Sequence, residues 1–290
     1  MTATVRSLTF WAGHLSRNVL LLVGLAVLAV PTVVRLALGL WETPEQGHGP
    51  LILAVVLWLF WHRLPDWLAL RTPGRPGWAL VLLVPALAAY ALGRSQAILL
   101  LEVGSFIPVA AALLLACRGW QGVKLYWFAL IFMLFLVPLP AAVVDSLTGA
   151  LKAQVSHIAE VLLYTIGYPV ARNGVLLTVG PYQLLVADAC SGMNSMFSLL
   201  AVGSLYVYIS GHTSVWRNAL LVAAMLPMAF VANIVRVMVL ILVTYHFGDA
   251  AGQGFVHGFA GMVLFAIALA GMFLLDRALG LIRRNTGRLV

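Results

Sequence analysis

A cysteine stands in a small, polar stretch that directly precedes a long apolar segment of the chain. Cys190 lies within Ala187–Met196, which reads ADACSGMNSM and directly precedes an apolar run. The positive end of a helix dipole and free backbone N–H groups favour a thiolate at such a helix start. The same N–H groups can stabilise an oxyanion. The stretch is typical of a nucleophile site, although a helix start capped by Asp188 or Ser191, with a small apolar cysteine, fits the same letters.

An asparagine and an arginine interrupt another apolar run. Asn233 and Arg236 are three residues apart and therefore share one face of a helix. An arginine at the centre of a membrane helix costs about 2.5–3.5 kcal/mol or more, so it should face a polar cavity or a partner. A functional site is one interpretation. A structural arginine paired with a carboxylate such as Asp145 or Glu102 is the other.

A histidine begins the last apolar run. His257, in the sequence Phe-Val-His-Gly, could serve as the base for a cysteine nucleophile, or could simply face lipid headgroups. His48 is a weaker candidate in an earlier loop. The sequence contains no His-Glu-x-x-His, Gly-x-Gly-x-x-Gly, P-loop or Gly-x-Ser-x-Gly pattern, so we predict neither a metal nor another cofactor.

The composition requires a bilayer around these residues. Of the 290 residues, 63% are hydrophobic and only 9% are charged, against about 25% charged residues in soluble domains. The net charge of +8 comes from basic residues that punctuate apolar runs. A nucleic-acid-binding face on a soluble domain would be arranged differently, so we predict no nucleic-acid partner.

The apolar runs predict an all-α polytopic membrane protein in a single domain, residues 1–290. Spans of roughly 20 residues are expected. The second run is short, and the seventh is long and contains Pro227, which could kink or divide it. The eight predicted spans lie near residues 19–40, 50–63, 78–93, 95–116, 124–142, 190–210, 216–246 and 255–279.

The distribution of Lys and Arg predicts the orientation. With both termini in the cytoplasm, most basic residues fall in inside segments, and the loops Trp41–Gly49 and Gly248–Gly254 fall outside without any. Cys190 and His257 then lie at the same outer boundary. Arg236 is about ten residues, or roughly 15 Å, below it. Either the seventh span ends earlier, or the pocket dips into the membrane.

Residues 143–189 are less apolar and predict a small cap on the outer membrane surface. Two strand-like segments, Val175–Val179 and Tyr182–Val186, flank Gly180-Pro181 and predict a β-hairpin. An amphipathic helix precedes them, and we expect its apolar face to hold Leu147, Leu151, Val155, Ile158, Leu162 and Ile166. The expected fold is thus about eight membrane helices with a periplasmic helix-plus-hairpin cap.

Taken together, these motifs resemble the exosortase/archaeosortase family over nearly the whole chain. The resemblance rests on Val-Ala-Asp-Ala-Cys-Ser-Gly ending at Gly192, on Asn233-x-x-Arg236 and on His257-Gly258. Gly47-His48-Gly49 after Trp41 is similar to the family's Ser-His-Gly loop, with Gly47 in place of serine. Asp188 stands where many members have glutamate.

The resemblance implies a membrane cysteine protease or transpeptidase in the inner membrane of a Gram-negative bacterium. Such enzymes act on exported, membrane-anchored proteins that carry a C-terminal signal with a Pro-Glu-Pro motif, a membrane helix and a basic tail. By position, Cys190 would be the nucleophile, His257 the acid/base and Arg236 the transition-state stabiliser. Supporting or substrate-binding residues would be Asp188, Ser191, Gly192, Asn233 and His48. Transfer of the substrate to an acceptor molecule is also implied.

Two other classes of function fit parts of the sequence. A transporter or flippase for a polysaccharide precursor would use Arg236 and Asn233 as a midplane substrate site and would not need the Cys190 thiol. A structural membrane subunit would give Arg236 no role beyond pairing. The protease interpretation accounts for all three polar sites together.

Overall fold

The protein is described by a computed structural model that places residues 21, 23–43, 46–185, 193–211, 214–252, 266 and 269–280. The first helix, α1, covers residues 23–37 and is followed by a 3-10 turn at Leu40–Glu42. The next helices along the chain are α2 Gly49–His62, α3 Leu64–Ala69, α4 Pro76–Ser95, α5 Leu99–Gly104, α6 Phe106–Leu125, α7 Trp127–Phe132 and α8 Ala141–Thr165.

Three short strands and three further helices complete the described chain. The strands are β1 Val170–Asn173, β2 Leu176–Val179 and β3 Tyr182–Leu185. The helices are α9 Met193–Ser210, α10 Val215–Phe247 and α11, which covers residues 269–280. The fold is thus mostly helical with one small sheet, as the sequence predicts.

Five helical segments in the described residues are long and apolar enough to cross a membrane. They are Val23–Glu42, Gly49–Ala69, Pro76–Ser95, Leu99–Leu125 and Val215–Phe247. Their apolar side chains point largely outward, as expected where lipid replaces water. The prediction of a multi-pass membrane protein is confirmed, whereas the expected total of eight spans is not.

Prolines explain where the observed helices differ from the predicted spans. The short second run is extended by α3, which begins after a break at Arg63, because Pro65 has no N–H to donate to the preceding turn. The predicted span 124–142 is wrong as a single helix. It consists of α7 and a 3-10 turn at Met133–Leu136, and Pro138 and Pro140 separate it from α8.

The last two predicted spans have different outcomes. Pro227 does not divide the seventh, because α10 runs unbroken for 33 residues. Most of the predicted eighth span, 255–279, lies outside the described residues, and the part that is described from residue 269 onward is helical.

The Pro/Gly-rich loop at residues 71–75, before α4, packs on the C-terminal half of α6. The Arg75 N–H donates to the Leu115 carbonyl, and the Thr72 hydroxyl donates to the Arg118 carbonyl. Gly119 kinks α6 there with a φ of 62°, which favours glycine. α4 and α6 are therefore antiparallel neighbours, fastened to each other at this end.

The other end of α4 meets α5 at a glycine, and this close approach gives a testable prediction. A Cβ on Gly93 would overlap the Glu102 backbone nitrogen, which cannot swing away as a flexible side chain can. Gly93→Ala should therefore lower the free energy of unfolding by about 1–3 kcal/mol, as overpacking does. The measurement is the thermal midpoint in detergent.

Gly77→Ala, also in α4, is the matched control, because a Cβ there meets nothing within 4 Å. We expect it to be neutral or slightly stabilising, since alanine is the better helix former. Equal midpoints for Gly93→Ala and Gly77→Ala would refute the close approach of α4 to α5.

The cap contains one strand more than the predicted hairpin. The three strands form an antiparallel sheet in the order β1-β2-β3, and Val179 pairs with both Val170 and Tyr182. Gly180 makes the tight β2–β3 turn with a φ of 55°, a conformation that glycine adopts without strain. The hairpin prediction is therefore confirmed in β2 and β3, and β1 is an addition.

The predicted buried face of α8 is only partly correct. Among the described side chains of α8, the apolar residues that are essentially inaccessible are Val155, Ala159 and Leu163, whereas Leu162 and Ile166 are 42% and 61% exposed. The predicted Leu147 side chain lies outside the described part of the chain. The buried set repeats every four residues and packs on the sheet and on α10. The error arose because a helix that faces a sheet on one side and a bilayer surface on another can be apolar on both sides.

Candidate functional site

The candidate residues Asn233 and Arg236 lie on α10, in the half of that helix that packs against the cap. Ile234, Val237 and Ile241 of α10 share a buried cluster with α8 and with all three strands. Asn233 and Arg236 occupy the adjoining face of the same turns and are 4% and 7% exposed. The two side chains therefore share one buried face of α10, next to the face that packs on the cap, as their spacing predicts.

The packing of the sheet fixes the level of Arg236 relative to the bilayer. An open three-stranded sheet has outer edges whose backbone groups would lack partners in hydrocarbon, so it must lie outside the membrane core. α10 has 33 residues and is about 50 Å long, against about 30 Å for a hydrocarbon core. Its first 20 or so residues, up to Ile234, suffice to span. Arg236 then lies at the membrane boundary on the sheet side.

The α9–α10 hairpin brings the start of α9 to the same level. Gly203 of α9 meets Met225 of α10 so closely that a Cβ would lie 2.6 Å from the Met225 Sδ. Met193 is ten residues before Gly203, and Arg236 is eleven residues after Met225. In antiparallel helices these steps correspond to about 15 Å and about 17 Å in the same direction. The first turn of α9 is therefore level with Arg236.

Two glycines after the middle of α10 contact that helix on either side of Arg236. Gly252 lies against Thr244, two turns beyond Arg236, and Gly271 of α11 lies against Met228, two turns before it. In the sequence, His257 comes between these two glycines.

Most of the other predicted site residues lie outside the described residues. These are Asp188, Cys190, Ser191, Gly192 and His257. In the sequence, Cys190 is three residues before Met193, the first residue of α9.

His48 belongs to a different part of the bundle. It immediately precedes α2, and the buried face of that helix packs on α6, α7 and α9 rather than on the cap. The Trp41 indole lies so close to Gly49 that a Cβ there would overlap it. The structure thus explains why glycine follows His48, but it does not place His48 in the same cluster as Asn233 and Arg236.

Partial burial gives His48 a testable pH dependence. Burial lowers the pKa of its imidazole below the ordinary value of 6.5, because the charged form loses solvation. The unfolded chain therefore binds this proton more readily. The stability that comes from a neutral His48 is fully present above the pKa of the unfolded chain. It is lost as the pH falls from that value through the lower pKa of the folded protein.

We expect the thermal midpoint to fall further in the wild type than in His48→Gln when the pH drops from about 7.5 to about 5.5. The difference between the two proteins isolates His48, because the remaining histidines are shared. Identical pH dependence in both would show that the His48 environment is not desolvating.

Two carboxylates, Glu102 and Asp145, are the possible ion-pair partners if Arg236 has only a structural role. Glu102 is 0% exposed and is held by Arg35, Arg94 and Thr32, each at 2.8 Å, so it is engaged elsewhere. The side chain of Asp145 lies outside the described part of the chain. Among the described residues, no group of three or more His, Cys, Asp or Glu side chains could hold a metal ion.

Two buried ionic clusters were not recognised as such from the sequence. One is the Glu102 cluster just described. In the other, Asp276 of α11 accepts hydrogen bonds from the Tyr206 hydroxyl and the Arg217 guanidinium, at 2.8 Å each. This second cluster fastens α11 to α9 and to the start of α10. The available signal was an isolated acid within an apolar run, but one sequence does not show which arginine it meets.

Residues 41–274, most of the chain, match a family model described as transmembrane exosortase (Exosortase_EpsH). The matched region contains the Trp41–Gly49 loop, Cys190, Arg236 and His257. Comparison with curated proteins gave no match. Comparison with solved structures gave none either.

Proposed function

Because this chain belongs to the transmembrane exosortase family, we propose that it is a cysteine protease/transpeptidase that processes C-terminal sorting signals of the Pro-Glu-Pro type. Its substrates are exported proteins held in the membrane by that signal. The reaction takes place at the outer face of the inner membrane, with both termini of the enzyme in the cytoplasm. The catalytic residues are Cys190, Arg236 and His257.

One observation carries this proposal: Arg236 is buried beside the sheet-packed face of α10, level with the first turn of α9. An open sheet stays outside hydrocarbon, which supports placing this level at the membrane boundary. Cys190 is three residues from that turn. In the sequence, His257 comes between Gly252 and Gly271, which contact α10 on either side of Arg236. A signal that joins a soluble protein to a membrane helix presents its cleavage point at this boundary, and no dip into the bilayer is needed.

The chemistry is that of an acyl-enzyme. The Cys190 thiolate attacks the scissile carbonyl carbon, a C–S bond forms, and the carbonyl electrons move to oxygen. Collapse of this intermediate breaks the C–N bond, and the amine of the cleaved tail leaves with a proton from His257. Water, or an amine or hydroxyl of an acceptor, then attacks the thioester. Its proton returns to His257 and the thiolate is released.

The supporting residues have separate roles in this scheme. Arg236 is always charged and donates hydrogen bonds to the oxyanion, and Asn233 orients its guanidinium from the same helix face. Backbone N–H groups at Ser191 and Gly192 add oxyanion donors, and Asp188 orients His257 or caps α9. His48 supports substrate binding from its separate position beside α2. No cofactor takes part.

Residues 143–189 form a cap on a single membrane domain that comprises residues 1–290. The cap lies beside α10, so it can shield the acyl-enzyme from bulk water until an acceptor arrives. The alternative, a transporter that uses Asn233 and Arg236 as its substrate site, gives the thiol no role.

The test is co-expression of the enzyme with an exported protein that ends in a Pro-Glu-Pro signal, a membrane helix and a basic tail. We expect loss of the tail, seen as a mass decrease of the substrate, in cells that carry the enzyme and not in cells with an empty vector. A substrate in which alanines replace the Pro-Glu-Pro motif is the matched control and should stay intact. Full-length substrate in the presence of well-expressed enzyme would contradict the proposal and favour transport.

A further inference from the structure

We propose that Arg35 and Arg94 form a binding site for the phosphate of an anionic membrane phospholipid. This site goes beyond the proposed function and uses none of the proposed catalytic residues. It is built on the ends of α1, α4 and α5, whereas the candidate catalytic residues belong to α9, α10 and the chain that follows α10.

The site is organised around one buried carboxylate. Glu102 is 0% exposed and accepts hydrogen bonds from the Thr32 hydroxyl and Arg94 Nη1 on one oxygen, and from Arg35 Nη1 on the other. Gly93 allows the end of α4 to approach the Glu102 backbone closely. The carboxylate thus holds two guanidinium groups side by side, one from Arg35 of α1 and one from Arg94 of α4.

The charges in this cluster do not balance. Among the described residues, two guanidinium groups contact one carboxylate, so the cluster has a net charge of +1. Each arginine contacts Glu102 through a single nitrogen, and the Arg35 and Arg94 side chains remain 37% and 41% exposed. A guanidinium has five N–H donors in a planar fork, and that fork matches phosphate oxygens. The cluster is therefore a preorganised receptor for one anion.

The surroundings of the cluster identify the anion as a lipid headgroup. In an apolar stretch of 18 residues within each segment, only 11% of the residues are buried in Val23–Glu42 and 17% in Pro76–Ser95, against 39% in Leu99–Leu125 and in Val215–Phe247. The helices that carry the two arginines therefore face mostly lipid. Near the arginines, Leu38 and Leu92 are 73% and 57% exposed. A phosphate above acyl chains fits this surface better than a soluble anion does.

The depth of the arginine cluster in the membrane also agrees with a lipid headgroup as its ligand. Arg94 is in the last turn of α4, whose 20 residues are about 30 Å long and match a hydrocarbon core. Glu102 is in the first turn of α5, where the chain re-enters the membrane. The residual positive charge selects lipids with a net negative charge over zwitterionic ones.

The test is native mass spectrometry of the full chain in detergent, titrated with phosphatidylglycerol or with phosphatidylcholine. We expect wild type to prefer phosphatidylglycerol, and Arg35→Gln and Arg94→Gln each to bind it about tenfold more weakly, because each loses a charge-assisted contact. Arg71→Gln makes the same charge change in the exposed loop before α4 and should stay within about twofold of wild type.

Two further arms separate the alternatives. Arg35→Lys retains the charge beside Glu102 but lacks the fork, so it should fold as wild type does and still bind phosphatidylglycerol more weakly. Glycerol 1-phosphate should not compete at the concentrations at which the lipid binds.

Unchanged phosphatidylglycerol affinity in Arg35→Gln, Arg94→Gln and Arg35→Lys would overturn the proposal and leave the arginines as partners of Glu102 only. Equal binding of the two lipids would also overturn it. Competition by glycerol 1-phosphate would replace the lipid by a soluble phosphate. None of these readouts involves proteolysis, so the proposed function stands or falls separately.

Discussion

Cys190→Ala should abolish processing of a Pro-Glu-Pro substrate, with a loss of at least about 10⁴-fold in kcat, because alanine has no thiolate with which to form the acyl-enzyme. Folding should be unaffected, since the change removes one sulfur atom from the chain before α9. The measurement is the fraction of co-expressed substrate that is shortened, together with the amount of enzyme in the membrane.

Cys117→Ala is the matched control for this prediction. Cys117 is the other cysteine of the chain and lies in α6, away from the cap. We expect Cys117→Ala to process the substrate at the wild-type rate. Full processing by Cys190→Ala would exclude the thiol mechanism, and equal loss in both variants would point to a general effect of removing thiols.

Arg236→Gln should lower kcat about 10²–10³-fold, the effect of removing one donor to a developing oxyanion. Arg236 is 7% exposed and lies at the level of the first α9 turn, so water cannot easily replace its guanidinium. Arg236→Lys retains the charge without the fork and should be intermediate. KM should change little if the contact forms mainly in the transition state.

Val235→Ala is a matched control for the Arg236 variants, because Val235 is the neighbouring residue of α10 and is 38% exposed. It should retain wild-type activity. Removal of a buried charge can also destabilise the fold, so thermal midpoints accompany the kinetics. A raised KM with unchanged kcat in Arg236→Gln would instead assign Arg236 to the glutamate of the signal. That assignment would be confirmed if wild type processed a Pro-Gln-Pro substrate as poorly as the variant does.

The depth of Arg236 illustrates what hydropathy can and cannot predict. The apolar run 216–246, which Pro227 could have divided, forms one helix, but its length does not show where the membrane ends along it. The apolar residues Val237 and Ile241 face a sheet rather than lipid, and both surfaces select the same side chains. Only the tertiary contact shows that Arg236 lies at the boundary and not about 15 Å below it.

The break after α7 and the buried face of α8 illustrate two other limits. Pro138 and Pro140 stop a helix that average hydropathy continues, because the backbone rather than the side chain decides there. In α8, periodicity identifies a helix but cannot choose between two apolar faces. By contrast, Gly180-Pro181 specifies a tight turn locally, and the hairpin it predicts is present.

Charged residues in apolar runs were informative about position but not about partners. The sequence offered Glu102 only as a possible partner of Arg236, whereas in the structure Glu102 forms one cluster with Arg35 and Arg94. Long-range pairing depends on which helices pack together, and one sequence does not encode that in any short pattern. Asn233 and Arg236 could be paired in advance because helix geometry alone places them on one face.

The measurement that tests the central claim most directly is detection of the acyl-enzyme. The purified full chain is mixed with a Pro-Glu-Pro signal peptide, quenched in acid and digested, and the peptide that contains Cys190 is examined by mass spectrometry. We predict a thioester on Cys190 that carries the N-terminal part of the signal and is released by hydroxylamine, with Cys117 unmodified. Cleavage of the signal without any adduct on Cys190, under conditions that trap a thioester on other thiol proteases, would contradict the account.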